Sequence, residues 1–538
     1  MKLRIRPIAL MLTAALASGS VHANDERTSL EQLRQTTMSL INALVESGVL
    51  PQEKADALIK AAEQDAARKV ATTKGSSSVR VSYVPEVVKE EIREQLKQEV
   101  LAQARSENWV GASVPSWVER IKIDGDLRVR YQSELMADGN AEPVQYLLAD
   151  LNGLTRASDL GAINSAGYPT GNTLDDRDRW RLRMRLGLTA QVADWVGVGV
   201  RLATGSTTDR VSTNQSMGQN FNKYQVVLDR AYVKLDPVDW LSLSAGRLPN
   251  PWFASDLVWD EDLNFEGVAA AFKPKRGPGS FTPFATVGAF PLREDSPPSR
   301  DDRWLTGVQV GFEWAPVRST RWKFAVAQYD YRNVVGSVDD AYHPAYGAEP
   351  SYGQYEYGSG LRQKGNTLFR TNSPYDTGAS IWGLASEFRP LAITAAVDLA
   401  HFDPVHVMLS GEYVKNLDFD RKEIESRTGG AVRGGRDSGY QVRLSVGMPE
   451  VREAWDWNAY IAYRYLGSDA VLDAFTDSDF GLGGTNLKGY ILGFSYGLGR
   501  NTALGLRWMS ADSIDSPTLI AGDKFGVDTL QMDLSVRF

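Results

Sequence analysis

The chain has 538 residues and an acidic balance, 67 Asp and Glu against 59 Lys and Arg for a net charge of −8, which argues against general nucleic-acid binding. It contains no cysteine, so disulfides and cysteine-ligated zinc are excluded. Its length far exceeds one ordinary soluble core.

Residues 1–23 read as a secretory signal peptide. Lys2, Arg4 and Arg6 form the basic start, Ile8 to Leu16 the apolar run, and Val21-His22-Ala23 a small-residue cleavage site before Asn24. The apolar run is shorter than the roughly 20 residues of a spanning helix. Cleavage removes three positive charges and takes the net charge to −11. Residues 24–110 are expected to be a periplasmic helical region. Leu30, Leu33, Leu40 and Leu44 follow an a/d-like spacing, with Thr37 as a polar interruption. Gly48 and Pro51 break that helix, and a second follows over 53–67. A flexible link, ATTKGSSS (71–78), leads to a third helix from Pro85 to about Arg105, with Val88, Ile92, Leu96 and Val100 on one face. Two readings stay open: plain amphipathic surface helices, or a coiled-coil-like assembly holding subunits together.

After Trp117 the periodicity changes to two, and residues 119–538 form a second region. Ile121, Ile123, Leu127 and Val129 alternate with Lys122, Asp124, Asp126, Arg128 and Arg130. In the stretch 178–190, Arg179, Arg181, Arg183 and Arg185 share one face, while Trp180, Leu182, Met184, Leu186 and Leu188 share the other. About sixteen such segments follow one another to Phe538, without a long helix. Short connectors, such as VADW (192–195), DPVD (236–239) and LGRN (498–501), alternate with long polar ones at about 134–177, 205–225, 249–263, 292–302, 333–379, 417–436, 468–485 and 511–525. Short and long turns sort to opposite ends of an up-and-down sheet, the pattern of an all-β transmembrane barrel. A chain that starts and ends on one side needs an even strand count. Ile381 to Arg389 leaves that count open, either as a separate strand or as an extension of the next.

Lipid offers no hydrogen-bond partners, so a spanning sheet must close on itself. Arginines facing lipid would cost about 2–4 kcal/mol each near the midplane. The alternate arginines must therefore face water, which argues for a wet lumen. Arg128, Arg130, Arg179, Arg181, Arg183, Arg185 and Arg201 are the candidate pore wall. Asp256, Asp260, Glu261 and Asp262, in the third long loop, are the candidate constriction acids. The bland alternatives are a generically wetted lumen and a solvated loop. An enzyme reading finds little support: His22 leaves with the signal, His401 and His406 flank a short turn, and only His343 lies in an outer loop. The sequence contains no metal cluster and implies no cofactor.

The last strand sets Leu530, Met532, Leu534, Val536 and Phe538 on one face. A terminal strand ending in Phe looks like the assembly signal of Gram-negative outer-membrane proteins. With RWRLRMRLGL (179–188), RAYVKL (230–235), SAGRLPNPW (244–252), HFDPVHVMLSGEYVKN (401–416) and the helical N-terminus, the chain resembles the Putative porin family. The resemblance implies a water-filled channel in the outer membrane, inserted by the barrel-assembly machinery. Many such porins are homotrimers. The expected function is passive diffusion of small hydrophilic solutes with a lean toward anions. The alternative is a structural barrel tethered to the cell wall through its N-terminal helices.

Overall fold

The computed structural model describes residues 120–146, 171–274, 281–294, 301–338, 355–372, 380–430 and 435–538, and the backbone of 154–155. The expected signal peptide (1–23) and helical region (24–110) lie outside the described residues.

Sixteen strands make the wall. They are β1 (Ile121–Met136), β2 (Arg177–Ala193), β3 (Val196–Thr204), β4 (Val226–Val238), β5 (Leu241–Pro249), β6 (Asn264–Phe272), β7 (Phe281–Arg293) and β8 (Arg303–Val317). The second half holds β9 (Thr320–Arg332), β10 (Pro390–Phe402), β11 (Val405–Asn416), β12 (Ser438–Gly447), β13 (Trp457–Leu466), β14 (Leu487–Gly499), β15 (Thr502–Ser513) and β16 (Gly526–Arg537). Each pairs antiparallel with the next, and β16 returns to β1 with Leu127 opposite Val536 and Val129 opposite Leu534. The barrel is closed, so no strand edge is left unpaired. At the seam the Gly125 and Phe538 backbones exchange hydrogen bonds of 2.9 and 3.0 Å. A Cβ at Gly125 would lie 2.8 Å from the Arg185 carbonyl oxygen and 2.5 Å from the Phe538 ring, so the seam requires glycine there.

Alternation decides what each face meets. Trp180 is 54% exposed, and Leu186, Val308, Val310, Val442, Leu444, Leu504, Leu506, Met532 and Leu534 are exposed in the same way around the outside. A soluble protein does not leave an apolar surface this extensive in water; facing acyl chains it is the favourable arrangement. Tyr440, Tyr463 and Tyr490 form a contiguous aromatic run on β12–β14, with ring centroids 5.0–6.1 Å apart.

The connections sort by end. Two-residue turns at 194–195, 239–240, 318–319, 403–404 and 500–501 lie at one end, together with the connections 273–280 and 448–456. The eight connections at the other end are L1 (137–176), L2 (205–225), L3 (250–263), L4 (294–302), L5 (333–389), L6 (417–437), L7 (467–486) and L8 (514–525). The ambiguous segment after residue 380 is neither a wall strand nor part of β10. Trp382–Leu384 pairs with Leu368–Arg370, which pairs with Leu154–Thr155, in a separate three-stranded sheet of the loops. Trp382 and Leu384 are both buried. They are apolar because they face a loop core, not lipid, and parity is untouched.

That core is the main departure from a uniformly wet interior. Inward-facing Phe265, Phe290, Leu305 and Tyr329 of β6–β9 pack against Leu257 and Trp259 of L3, Tyr357, Leu368 and Leu384 of L5, and Leu472 of L7. Trp259 lies 5.0 Å from both Phe265 and Tyr329, near perpendicular to each, a favoured edge-to-face geometry. One side of the barrel therefore holds loops by apolar packing. The opposite side, β1–β3 with β12–β16, is mostly charged, with one smaller apolar patch where Phe480 of L7 packs against Ala462, Leu487, Ile491 and Met509 of β13–β15.

Candidate constriction site

The register of β1 on β2 sets Arg128 opposite Arg183 and Arg130 opposite Arg181. Arg179, Arg181, Arg183 and Arg185 thus join Arg128 and Arg130 on one inward wall, and Arg201 extends it onto β3. The structure brings the whole predicted ladder together, and it also supplies counter-charges. Arg183 and Arg185 both donate to Asp126, at 3.0 and 2.6 Å. Arg130 makes a forked pair with Asp533 at 2.7 and 2.9 Å. Arg179 pairs with Glu134, and Arg201 with Asp229. Arg128 donates to Asn214 at 2.7 Å, with Asp533 at 3.9 Å. Arg181 has only longer contacts to Gln132 (3.3 Å), Ser212 (3.5 Å) and Asp479 (3.8 Å).

L3 folds inward and ties two distant walls together. Asp262 accepts from Arg185 at 2.9 Å and from the Thr213 hydroxyl at 3.2 Å. Six residues earlier in the chain, Asp256 meets Arg464 of β13 at 2.8 Å and accepts from Gln441 of β12 at 2.7 Å. By the shorter way round the closed wall, β13 is five strands from β2. Asp260 is buried between them, accepting from the Asp262 amide at 2.7 Å and the Ser478 amide at 2.9 Å. Glu261 alone of the four is exposed. It makes no hydrogen bond or ion pair among the described residues.

L7 also folds against the charged wall and against L3. Asp477 pairs with Arg464 at 2.8 Å. Asp479 pairs with Arg130 at 3.0 Å and with Arg507. The Asp260 amide donates to the Phe475 carbonyl at 2.8 Å, joining L7 to L3. These L7 acids, with Asp126, Asp533, Arg443, Arg464 and Arg507, are site residues that the sequence reading passed over. Parity could have found those on the wall: Asp126 shares the inward face of Arg128 and Arg130, and Asp533 alternates with Met532 and Leu534. Nothing local marks Asp479 as the partner of Arg130, 349 residues away.

The loop acids divide electrostatically. Burial works against ionising Asp256, but Arg464 and Arg443 overcome it and hold the carboxyl well below the usual range. Arg183 and Arg185 likewise lower Asp262 against burial. Burial, then the charges of Asp477 and Asp262, push Asp260 well above the usual range, which favours its protonated form. Glu261, open to the lumen yet surrounded by protein, is raised by that partial loss of water and by the Asp256 charge.

Two cavities flank L3. One, about 70 Å³, lies against the ladder and is bounded by Arg128, Arg183, Glu261, Asp262, Asp479 and Arg507. The other, about 260 Å³, lies toward β10–β12.

A closed sixteen-strand barrel, apolar outside and charged within, with a loop folded into it, is the architecture of an outer-membrane channel. The chain belongs to the Putative porin family, whose model matches residues 34–538. Family and fold together indicate the Gram-negative outer membrane. Solved structures to which the chain is similar include OprB of Pseudomonas putida at high pH, 11% identical over 78% of this chain and 95% of that one, with a TM-score of 0.42. DcaP of Acinetobacter baumannii, an outer-membrane channel, is 12% identical over 78% and 97%, with a TM-score of 0.38. OmpF of Salmonella typhi in complex with daunomycin is 8% identical over 78% and 97%, with a TM-score of 0.39. No curated protein matches the sequence.

Proposed function

We propose that the mature protein is a homotrimeric porin for passive diffusion of small hydrophilic solutes, narrowed at L3, with a shallow preference for anions. The observation that carries this reading is L3 itself, held across the lumen by Asp262 on one wall and Asp256 on the other. Rings of fixed charge in a narrow passage select by sign. The preference is shallow because Asp126, Glu134, Asp229, Asp262, Asp479 and Asp533 neutralise most of the arginine wall at contact distance. Arg128 and Arg181, whose nearest carboxylates are 3.9 and 3.8 Å away, carry the remainder. The trimer follows from the family resemblance and the a/d-like leucines of residues 24–110, which we place in the periplasm. Phe538, at the seam, is proposed as the signal read by the barrel-assembly machinery.

In planar bilayers the mature protein should give discrete conductance steps and, in a KCl gradient, a small reversal potential on the anion side. The double variant Arg128→Gln/Arg181→Gln should move that potential toward the cation side. A protein that inserts without steps would remove the channel reading. An unchanged potential in the double variant would remove the ladder as its origin.

A further inference from the structure

A cavity of about 390 Å³ lies between the β5–β8 wall and the loops L5 and L7, away from the arginine ladder. That volume is within the roughly 300–1,000 Å³ of small-molecule sites, whereas a packed core leaves few voids larger than a water. Its body is aromatic: Phe265 and Phe290 line it from the wall, Trp259 from L3 and Phe475 from L7. Its charges are four arginines, Arg210, Arg247, Arg293 and Arg303, against two glutamates, Glu266 and Glu356, an excess of two positive charges. Arg247 is engaged by Glu266 at 2.6 Å and by the Asp229 carbonyl at 2.8 Å. Arg303 donates to the Glu356 carbonyl at 2.6 Å. Glu356 itself is exposed, where water and salt screen its carboxylate. Arg210 of L2 is half-buried and has no ion pair among the described residues. Its Nη1 donates to the Gly360 carbonyl at 2.7 Å and the Thr208 carbonyl at 3.2 Å. Burial lowers its pKa, and the nearby Tyr357 and Asp209 do not make up the loss. Both carbonyls take the same nitrogen, which leaves Nε and Nη2, the edge that receives a carboxylate in a fork.

We propose that this cavity binds aromatic monocarboxylates, with the ring among Phe265, Phe290 and Phe475 and the carboxylate on Arg210. The carboxylate supplies the counter-charge that two carbonyl dipoles do not. An aromatic cation would meet the excess of positive charge, and a small carboxylate without a ring would leave the apolar walls unfilled. This goes beyond the channel reading, since binding here requires no conduction.

The test is isothermal titration calorimetry of the full mature chain in detergent, with the heats of protein-free micelles subtracted. The probes are 2-naphthoate, 2-naphthamide, 2-naphthylmethylamine and acetate. The wild type should bind 2-naphthoate saturably and about tenfold more tightly than 2-naphthamide, equivalent to ~1.4 kcal/mol, and should hardly bind the amine or acetate. Arg210→Gln should bring 2-naphthoate down to the affinity of 2-naphthamide, and Arg210→Lys, which keeps the charge, should restore part of the difference. Leu361→Trp enlarges a half-buried L5 side chain that lines the cavity and should remove binding of both naphthyl probes. The folded, fast-migrating gel band of each variant separates lost recognition from a folding defect. Equal wild-type affinities for 2-naphthoate and 2-naphthamide would overturn the proposal while leaving the channel reading standing. A 2-naphthoate affinity that survives Arg210→Gln or Leu361→Trp would overturn it equally. Saturable, Arg210-dependent binding by a protein that gives no conductance steps would uphold this site and remove the channel reading alone.

Discussion

Replacing Asp256 with alanine should enlarge the single-channel conductance and weaken the barrel at once. Asp256 anchors L3 to the wall opposite the ladder, through Arg464 at 2.8 Å and Gln441 at 2.7 Å. Side-chain exposure is 10% for Asp256 and 3% for Arg464. Removing one partner of a buried pair costs about 3–5 kcal/mol, because the remaining charge is uncompensated. Arg464 keeps Asp477 at 2.8 Å, which places the expected loss at the lower end, about 3 kcal/mol. At that end Ser255 still donates to Glu412 of β11 and Phe253 still exchanges hydrogen bonds with Gln309 of β8, while Asp262 on β2 and the packing of Trp259 hold the rest, so L3 should shift rather than unfold. The measurements are the step size in bilayers and the temperature at which the folded, fast-migrating gel band is lost. Asp256→Asn keeps an acceptor for Gln441 and removes only charge, so it should give a smaller change in both. The pH dependence has a definite sign. Arg464 and Arg443 depress the folded-state pKa of Asp256. Its contribution is therefore complete above the ordinary aspartate value of about 4 and drains away as the pH falls below it. Wild type and Asp256→Ala should converge in stability in strong acid and differ most near neutrality. An unaltered step size in Asp256→Ala would show that L3 is held without this anchor.

The barrel was legible because its rule is local: alternation needs only neighbouring residues, and turn length fixes which end each connection occupies. The arginines were legible for the same reason, since parity along 178–190 gives their face. Their chemical state was not. A free ladder and a neutralised one have the same parity, and the counter-charges come from β1, β4, β16, L3 and L7. Asp126, two residues from Arg128, could have been paired with the ladder from strand adjacency alone. Asp479 could not, because L7 has no periodicity to aim it. Trp382–Leu384 misled for a related reason. A short apolar run reads alike whether it is buried in a loop sheet or against lipid, and only its partners at Leu368–Arg370 decide. Leu257, Val258 and Trp259 sit among the acids of L3, and their apolar packing against β6–β9 was hidden by reading that loop for charge.

Asp479→Ala should shift the channel toward anions more strongly than any substitution in the ladder. Its carboxylate receives Arg130 at 3.0 Å and Arg507, with Arg181 at 3.8 Å. Burial resists ionising it, and Arg130, Arg507 and Arg181 together hold it well below the usual range, so it is fully charged at neutral pH. Alanine removes that charge and also releases three guanidiniums that repel one another once it is gone. Arg130 falls back on Asp533, and Arg507 on Gln531 at 2.9 Å. Neither partner holds L7, so the loop should also loosen from the β1 and β15 wall and single-channel current noise should rise. The reversal potential in a KCl gradient reads the first effect. The double variant Asp479→Ala/Arg507→Gln separates charge from tethering. It restores the net charge and should return the potential most of the way to wild type, while the excess noise persists because L7 is still untied. Residues in one ion network couple by 0.5–3 kcal/mol, so the stability losses of Asp479→Ala and Arg507→Gln should sum to more than the loss of the double variant. Strict additivity, with a potential that does not return, would mean that Asp479 and Arg507 act independently. L7 would then be held by its backbone bonds to L3 rather than by this cluster.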